Sequence, residues 1–126
     1  MSSYTKKLVV SPYNGIKWQL EEPFAYYTNI TGKRAHIMVP RGFITDFAST
    51  PRFVWSIYPT IGNYSKAAVL HDYLYKEHKD SYFNNRKTCD LIFREAMEVS
   101  GVDWLTRNIF YWSVRIFGKS HWKKND

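Results

Sequence analysis

The hydrophobic pattern of the chain changes in character between its first third and its second half. The first third alternates short runs of β-branched and aromatic residues with Pro-, Gly- and Asn-containing turns. This pattern predicts β-strands at Lys6 to Val10, Ile16 to Leu20, Phe24 to Ile30 and Arg34 to Val39. Because the connections are too short for crossovers, the strands are expected to form an antiparallel meander.

From Ser65 onward the apolar positions recur with helical spacing. Start and stop signals predict three helices: about Ser65 to Glu77, about Asn85 to Ser100, and from after Asp103 to near Gly118. Residues 46–64 have no periodic pattern and predict a long ordered loop. Together these elements predict an α+β fold, with an N-terminal antiparallel sheet, a long ordered loop and a three-helix C-terminal half.

One face of the third predicted helix is apolar and consists of Leu105, Ile109, Trp112 and Ile116. The amphipathic pattern favours the interpretation that this face packs into the core. A second interpretation is an aromatic belt at a lipid interface, since five basic residues flank it. These are Arg107, Arg115, Lys119, Lys123 and Lys124.

Length and composition limit the classes to which the chain can belong. Its 126 residues predict one domain, 1–126, with a short basic tail at 119–126 that can fray. The single cysteine, Cys89, excludes an intrachain disulfide framework and fits a reducing compartment. No apolar run is long enough for a transmembrane helix, and Leu8-Val9-Val10 is too short for a signal peptide.

The net charge of +7 raises the expectation of an anionic partner, whether nucleic acid, lipid or an acidic protein. Lys and Arg are spread along the chain rather than clustered, and no nucleic-acid-binding motif is present. Nucleic acid is therefore less favoured as a partner than an anionic lipid surface or another protein.

The candidate chemistry centres on the first two predicted helices. His71 and Tyr75 share a face, with Asp72 beside them. If the two helices form a hairpin, Asp90 can reach His71, fix its tautomer and leave the other ring nitrogen as a base. Asp72 and the loop residue Asp46 are then carboxylate ligands for a hard cation such as Ca²⁺. Thr45, Ser49 and Arg52 are the candidate pocket residues near Asp46.

Two other interpretations of the same residues stay open. The His-Asp cluster can be a buried hydrogen-bond network without catalytic function. A nuclease or peptidoglycan hydrolase with His71, Asp72 and Asp46 around Zn²⁺ is the other, although neither a second convincing His nor a usable Cys ligand accompanies them.

Several spaced motifs resemble a family of small phage and prophage proteins of unknown function. The resemblance covers roughly residues 38 to 118 and is carried by Gly42-Phe43-Ile44-Thr45-Asp46-Phe47-Ala48-Ser49-Thr50-Pro51-Arg52, Ala67-Ala68, His71-Asp72-Tyr73-Leu74-Tyr75 and Val114-Arg115-Ile116-Phe117-Gly118. It implies a phage source and a virion- or tail-associated role, with other virion proteins as partners. The implied location is the host cytoplasm or the assembled virion.

A second resemblance supplies chemistry. His-Asp-x-x-Tyr on one helix and Asp on the next is similar to the catalytic helices of phospholipase A2 enzymes. It implies that His71 activates water, that Tyr75 and Asp90 hold His71, and that Asp72 binds Ca²⁺ with Asp46. The glycine-rich calcium loop of those enzymes is missing, and Leu70 stands where their cysteine precedes the His. The expected function is thus a phage accessory protein with a phospholipase-like site; the alternative is a non-catalytic structural or tail-associated protein.

Overall fold

The computed structural model describes residues 3–4, 10–14, 17–30, 32, 34–45, 65–77 and 85–122. The strands within these ranges are β1 (Ser3–Tyr4), β2 (Val10–Asn14), β3 (Lys17–Leu20), β4 (Phe24–Thr28), β5 (Ala35–Val39) and β6 (Ile44–Thr45). The helices are α1 (Ser65–Glu77), α2 (Arg86–Val99) and α3 (Trp104–Phe117), followed by a 3₁₀ turn at Gly118–His121. The predicted α+β class, with antiparallel strands first and three helices after them, is confirmed. The predicted loop at 46–64 lies outside the described residues.

The predicted meander is wrong, because consecutive strands β3 and β4 lie in different sheets. One sheet has the order β1-β4-β5 and the other β2-β3-β6, and every described pair is antiparallel. The reason is the pairing of Leu20, whose N–H donates to Phe43 O and whose carbonyl accepts from Gly42 N, both at 2.8 Å. Pro23, just before β4, has no N–H to offer to a neighbouring strand.

The first strand boundaries also differ from the prediction. Strand β2 includes Pro12, which the sequence pattern places in a turn, and the register shifts between Pro12 and Asn14. Within the described sheet β2 pairs only with β3, and such an edge position tolerates proline. Most of the predicted strand at 6–10 falls outside the described residues.

The three helix predictions are confirmed to within one residue at each end. The caps are local and explain this success. Asn85 Oδ1 accepts the Thr88 N–H at 3.0 Å, and Asp103 Oδ2 accepts the Thr106 N–H at 3.0 Å. Hydrogen bonds from the side chain and the backbone of Thr106 hold the pKa of Asp103 below its usual value. None of the described helices is both long and apolar enough to cross a membrane.

The core lies between β4 and β5 on one side and α1 and α2 on the other. Ile37 and Val39 are buried along β5 while Met38 between them is 46% exposed, as expected for a strand with one solvated face. Glu95 of α2 accepts hydrogen bonds from Tyr26 Oη at 2.7 Å and Thr28 Oγ1 at 2.6 Å. These bonds attach α2 to β4.

The predicted core face of α3 is wrong. The residues assigned to it are exposed: Leu105 by 60%, Ile109 by 36%, Trp112 by 56% and Ile116 by 66%. Instead Phe110 and Val114, one turn apart, are fully buried, and Phe110 packs edge-on against Phe93 with ring centroids 6.2 Å apart. The helix has two apolar faces, and polar contacts near its C-terminal end select the one that packs.

Candidate functional site

The candidate site lies where α1, α2 and α3 meet, around the carboxylate of Asp90. His71 Nε2 is 2.7 Å from Asp90 Oδ1, and Tyr75 Oη donates to the same oxygen at 2.6 Å. Arg115 Nη1 donates to the other oxygen, Oδ2, at 2.8 Å. The side chains of His71 and Asp90 are 0% exposed. The expected approach of Asp90 to His71 is therefore present.

Aromatic rings fix the plane of the His71 imidazole. The ring stacks on Phe93 at a centroid distance of 4.4 Å with an angle of 24° between the planes. The Tyr75 ring lies on it at 4.2 Å with an angle of 46°. With both rings in place, the imidazole cannot turn away from Asp90 without displacing a fully buried side chain.

The hydrogen-bond donors around Asp90 determine the protonation states of Asp90 and His71. Burial alone raises the pKa of Asp90, but hydrogen bonds from His71, Tyr75 and Arg115 outweigh it and hold that pKa below the usual value. An ionised carboxylate only accepts hydrogen bonds, so His71 must carry a proton on Nε2. In the neutral ring the basic lone pair is then on Nδ1, which is the arrangement of an oriented general base.

Two ionisable neighbours of Asp90, the Tyr75 hydroxyl and the Cys89 thiol, stay neutral. Burial, followed by the charge of Asp90, raises the pKa of Tyr75, which therefore remains a hydroxyl donor. Burial also raises the pKa of the Cys89 thiol to about 12, with Asp90 adding to the effect. Because the thiolate is the nucleophilic form, Cys89 is not a reactive group in this site.

Arg115 is the site residue that sequence reasoning missed, since it was assigned only to the flank of an apolar helix. Its side chain is 24% exposed and ion-paired with a fully buried carboxylate. A second arginine, Arg86, supports it by donating to the carbonyls of Val114 and Arg115, both at 2.8 Å. The signal in the sequence was an arginine in the last turn of an otherwise largely apolar helix.

Gly118 allows the end of α3 to lie against Tyr75. A Cβ atom at position 118 would be 3.0 Å from Tyr75 Oη and 3.3 Å from Tyr75 Cε2. Trp122 also packs edge-on with the Tyr75 ring, with centroids 5.2 Å apart. The position of the Tyr75 hydroxyl thus depends on close contact with the chain that follows α3.

The second acidic residue, Asp72, belongs to a different set of contacts. Thr45 Oγ1 donates to Asp72 Oδ2 at 2.6 Å, which connects α1 to β6. Lys76 Nζ lies 3.3 Å from the same oxygen and donates to the Ile44 carbonyl at 3.3 Å. Of the predicted pocket and metal residues, the structure brings together Thr45 and Asp72. Asp46, Ser49 and Arg52 lie outside the described residues.

The described residues alone do not complete a calcium site, and the predicted second ligand, Asp46, lies outside them. Ca²⁺ takes six to eight oxygen ligands. Asp72 Oδ2 already contacts the Thr45 hydroxyl and the Lys76 ammonium, and this ammonium occupies the position that a metal ion would need on the carboxylate. Within the described ranges, no three His, Cys, Asp or Glu side chains are grouped so as to hold a metal ion. The zinc hypothesis meets the same obstacle, and His71 Nε2 is already directed at Asp90.

Comparison with known proteins identifies relatives without assigning a reaction. Residues 18–114 match the family described as "Protein of unknown function (DUF1353)". Over 82 residues the chain is 33% identical to "Uncharacterized protein y4jT" of Sinorhizobium fredii (strain NBRC 101917 / NGR234), covering 64% of this chain. The chain spans only 23% of the length of that relative. No solved structure matches the chain. The chain belongs to the DUF1353 family of proteins of unknown function.

Proposed function

We propose that this protein is a hydrolase that uses His71 as a general base to activate water, in the manner of the phospholipase A2 enzymes that its helices resemble. The observation that carries the proposal is the double acceptance at Asp90 Oδ1, from His71 Nε2 and from the Tyr75 hydroxyl. This arrangement fixes the tautomer of a base and places an anion where it stabilises the imidazolium that forms on proton transfer. The substrate class that the resemblance implies is an ester, and in particular a phospholipid.

The mechanism needs no step through a metal ion. The positive group beside Asp72 is the Lys76 ammonium, whose side chain is 38% exposed and therefore open to solvent and solutes. Asp90 itself is held ionised by the hydrogen bonds from His71, Tyr75 and Arg115, so it orients and stabilises His71 without taking its proton. A role for Ca²⁺ at Asp72 and Asp46 would require Lys76 to leave the carboxylate.

The test compares His71→Gln with His36→Gln in an assay of fatty-acid release from phospholipid vesicles. His36 is an exposed histidine of β5 and serves as the matched control. Loss of a general base lowers the rate by roughly 10²–10⁴-fold, so His71→Gln is expected to fall to background while His36→Gln keeps the wild-type rate. Circular dichroism of both variants checks that they fold. No turnover by the wild-type protein on phospholipid or simple esters would refute the proposal.

A second candidate is a non-catalytic protein in which the cluster is a structural hydrogen-bond network. The observation that favours it is burial: His71, Tyr75 and Asp90 are all 0% exposed, and Arg115 completes the pairing of the carboxylate. In this case the wild type shows no turnover, and His71→Gln only reduces the free energy of unfolding. Urea unfolding beside the turnover assay separates the two candidates.

The biological setting is a further part of the proposal. The motif resemblance supports a phage accessory or virion-associated protein, found in the host cytoplasm or in the assembled particle. The test is mass spectrometry of gradient-purified virions induced from a lysogen that encodes the chain. Recovery of its peptides with the tail proteins supports the virion role, and their absence from particles but presence in the lysate supports a cytoplasmic accessory role.

A further inference from the structure

The outward side of α3 is an exposed apolar surface. Its central line, which we call the outer stripe, consists of Leu105, Ile109, Trp112 and Ile116, each between 36% and 66% exposed. Trp104 and Phe117 extend it at the two ends of the helix, with 67% and 52% exposure. Scattered exposed apolar side chains are ordinary, but a continuous line along a whole helix marks an interaction surface.

The charged residues in the sequence of α3 and of the segment that follows it, up to Asn125, are all basic. From Trp104 to Asn125 the sequence contains no Asp or Glu, and it contains five Lys and Arg residues. Within α3, Arg107 Nη2 lies 3.9 Å from Glu98 Oε2 and Arg115 pairs with Asp90, whereas Lys119 is exposed immediately after the helix. The outer stripe therefore lies in the most uniformly basic part of a chain whose net charge is +7.

We propose that the outer stripe binds the surface of an anionic lipid membrane, with α3 lying in the plane of the interface. A helix of 14 residues cannot span the hydrocarbon core, which needs about 20. Its apolar side can enter the boundary between headgroups and acyl chains by roughly 5–10 Å. Trp104 and Trp112 suit this boundary because indole rings combine a large apolar surface with one N–H donor.

Other occupants fit the observations less well. A symmetric contact with a second copy would bring two basic surfaces together, which like-charge repulsion opposes. Nucleic acid matches the charge, but Leu105, Ile109 and Ile116 give it neither a stacking surface nor a hydrogen bond. Anionic lipid complements both the aliphatic line and the basic segment that follows it, which begins with the exposed Lys119.

This surface is separate from the candidate active site. The side of α3 that faces the protein contributes Arg115 to Asp90 and packs Phe110 on Phe93, whereas the outer stripe points away from both. Substitutions in the outer stripe therefore leave the His71–Asp90 contacts in place. Membrane binding can be tested without any assumption about hydrolysis.

The experiment is co-sedimentation of the full chain with sucrose-loaded vesicles of phosphatidylcholine containing phosphatidylglycerol, beside pure phosphatidylcholine vesicles. The wild type is expected to bind the anionic vesicles at least tenfold more tightly and to lose this preference at high salt. The double variant Trp112→Gln/Ile116→Gln is expected to lose at least tenfold in affinity. The control Met38→Gln, an exposed apolar residue of β5 with 46% exposure, is expected to bind like the wild type.

Three results would overturn the proposal. The first is absence of binding to anionic vesicles. The second is binding that the double variant retains at wild-type strength, because the surface used would then lie elsewhere. The third is a concentration-dependent dimer in analytical ultracentrifugation that the double variant abolishes without vesicle binding by the wild type, which would make the outer stripe an interface between copies. Circular dichroism confirms that the variants fold.

Discussion

The two buried carboxylates, Asp90 and Asp72, are treated very differently by the fold. Both Asp90 oxygens are paired, and their donors His71, Tyr75 and Arg115 come from helices. Asp72, next to His71 in sequence, instead presents one oxygen to the Thr45 hydroxyl and the Lys76 ammonium. The cation on Asp90 is a planar arginine held near the interior, while the cation on Asp72 is a half-exposed lysine.

This difference indicates two roles. Arginine binds carboxylates with a fixed geometry, and the buried pair that it forms is not easily exchanged. Lysine is a flexible point charge that can be displaced by another cation at small cost. Asp90 is therefore suited to holding His71 permanently, and Asp72 is suited to a contact that changes.

The largest expected effect comes from removing the charge at Asp90. In Asp90→Asn the side chain keeps its size, but Arg115 loses its anionic partner. The amide also offers His71 and Tyr75 either a weaker, uncharged oxygen acceptor or an NH₂ group, which cannot accept their hydrogen bonds. Breaking a buried ion pair in this way costs about 3–5 kcal/mol in the free energy of unfolding. Urea denaturation measures it.

The matched control for this variant is Asp103→Asn. Asp103 is the exposed N-cap of α3, and asparagine caps helices about as well as aspartate, so the free energy of unfolding is expected to stay close to that of the wild type. If Asp90→Asn were as mild as this control, the pairing at Asp90 would not stabilise the fold. The contrast between the two carboxylates would then have no energetic basis.

The pH dependence of this contribution has a definite sign. The pKa of Asp90 is lower in the folded protein than in the unfolded chain, where it is about 3.9. A group with a lowered pKa contributes stability that is fully present above its unfolded pKa and is lost as the pH falls through the folded value. The difference in unfolding free energy between wild type and Asp90→Asn is thus expected to be constant from about pH 5 to 7 and to shrink below about pH 4. A difference that grew with acid would contradict the assignment.

The helices could be predicted from the sequence because their limits are set locally. Asn85 and Asp103 each cap the helix that follows through a hydrogen bond three residues along the chain. Strand pairing could not be predicted in the same way, because the partner of Leu20 is a turn at Gly42 and Phe43 rather than the next strand. That choice depends on contacts distant in sequence.

The site, like the fold, could be predicted only where local spacing determines the contacts. The spacing of His71 and Tyr75, with an aspartate on the next helix, was sufficient to expect their contact with Asp90. Arg115 could not be expected, because its direction depends on which of two apolar faces of α3 packs inward. Both faces are apolar, so hydrophobicity alone does not distinguish them, and the observed rotation is the one in which Arg115 reaches Asp90.

A smaller effect is expected from tightening the contact beside the Asp90 cluster. In Gly118→Ala the new methyl group would lie 3.0 Å from Tyr75 Oη, and the Tyr75 ring also packs edge-on with Trp122. Overpacking of this kind costs about 1–3 kcal/mol, and the lower entropy of the unfolded alanine chain offsets about 0.4–1 kcal/mol of it. A net loss of about 1 kcal/mol is expected in urea denaturation. Unchanged or increased stability would show that Tyr75 is free to shift.

The smallest effect on stability, and the sharpest test of the contrast, is expected at Lys76. In Lys76→Met the aliphatic stem is largely kept and the ammonium beside Asp72 is removed. Because this pair is more than one-third exposed on the lysine side, its loss is expected to cost no more than about 1 kcal/mol. The carboxylate of Asp72 then loses its contact with the Lys76 ammonium.

The measurement that completes this prediction is calcium titration calorimetry. If Asp72 exchanges cations, Lys76→Met binds Ca²⁺ at least tenfold more tightly than the wild type, and the double variant Lys76→Met/Asp72→Asn loses that gain. Lys119→Met, which removes an exposed lysine beyond α3, controls for the change in net charge. Equal calcium affinity in all four proteins would mean that Asp72 only attaches α1 to Thr45, and that the two carboxylates differ in their partners but not in their purpose.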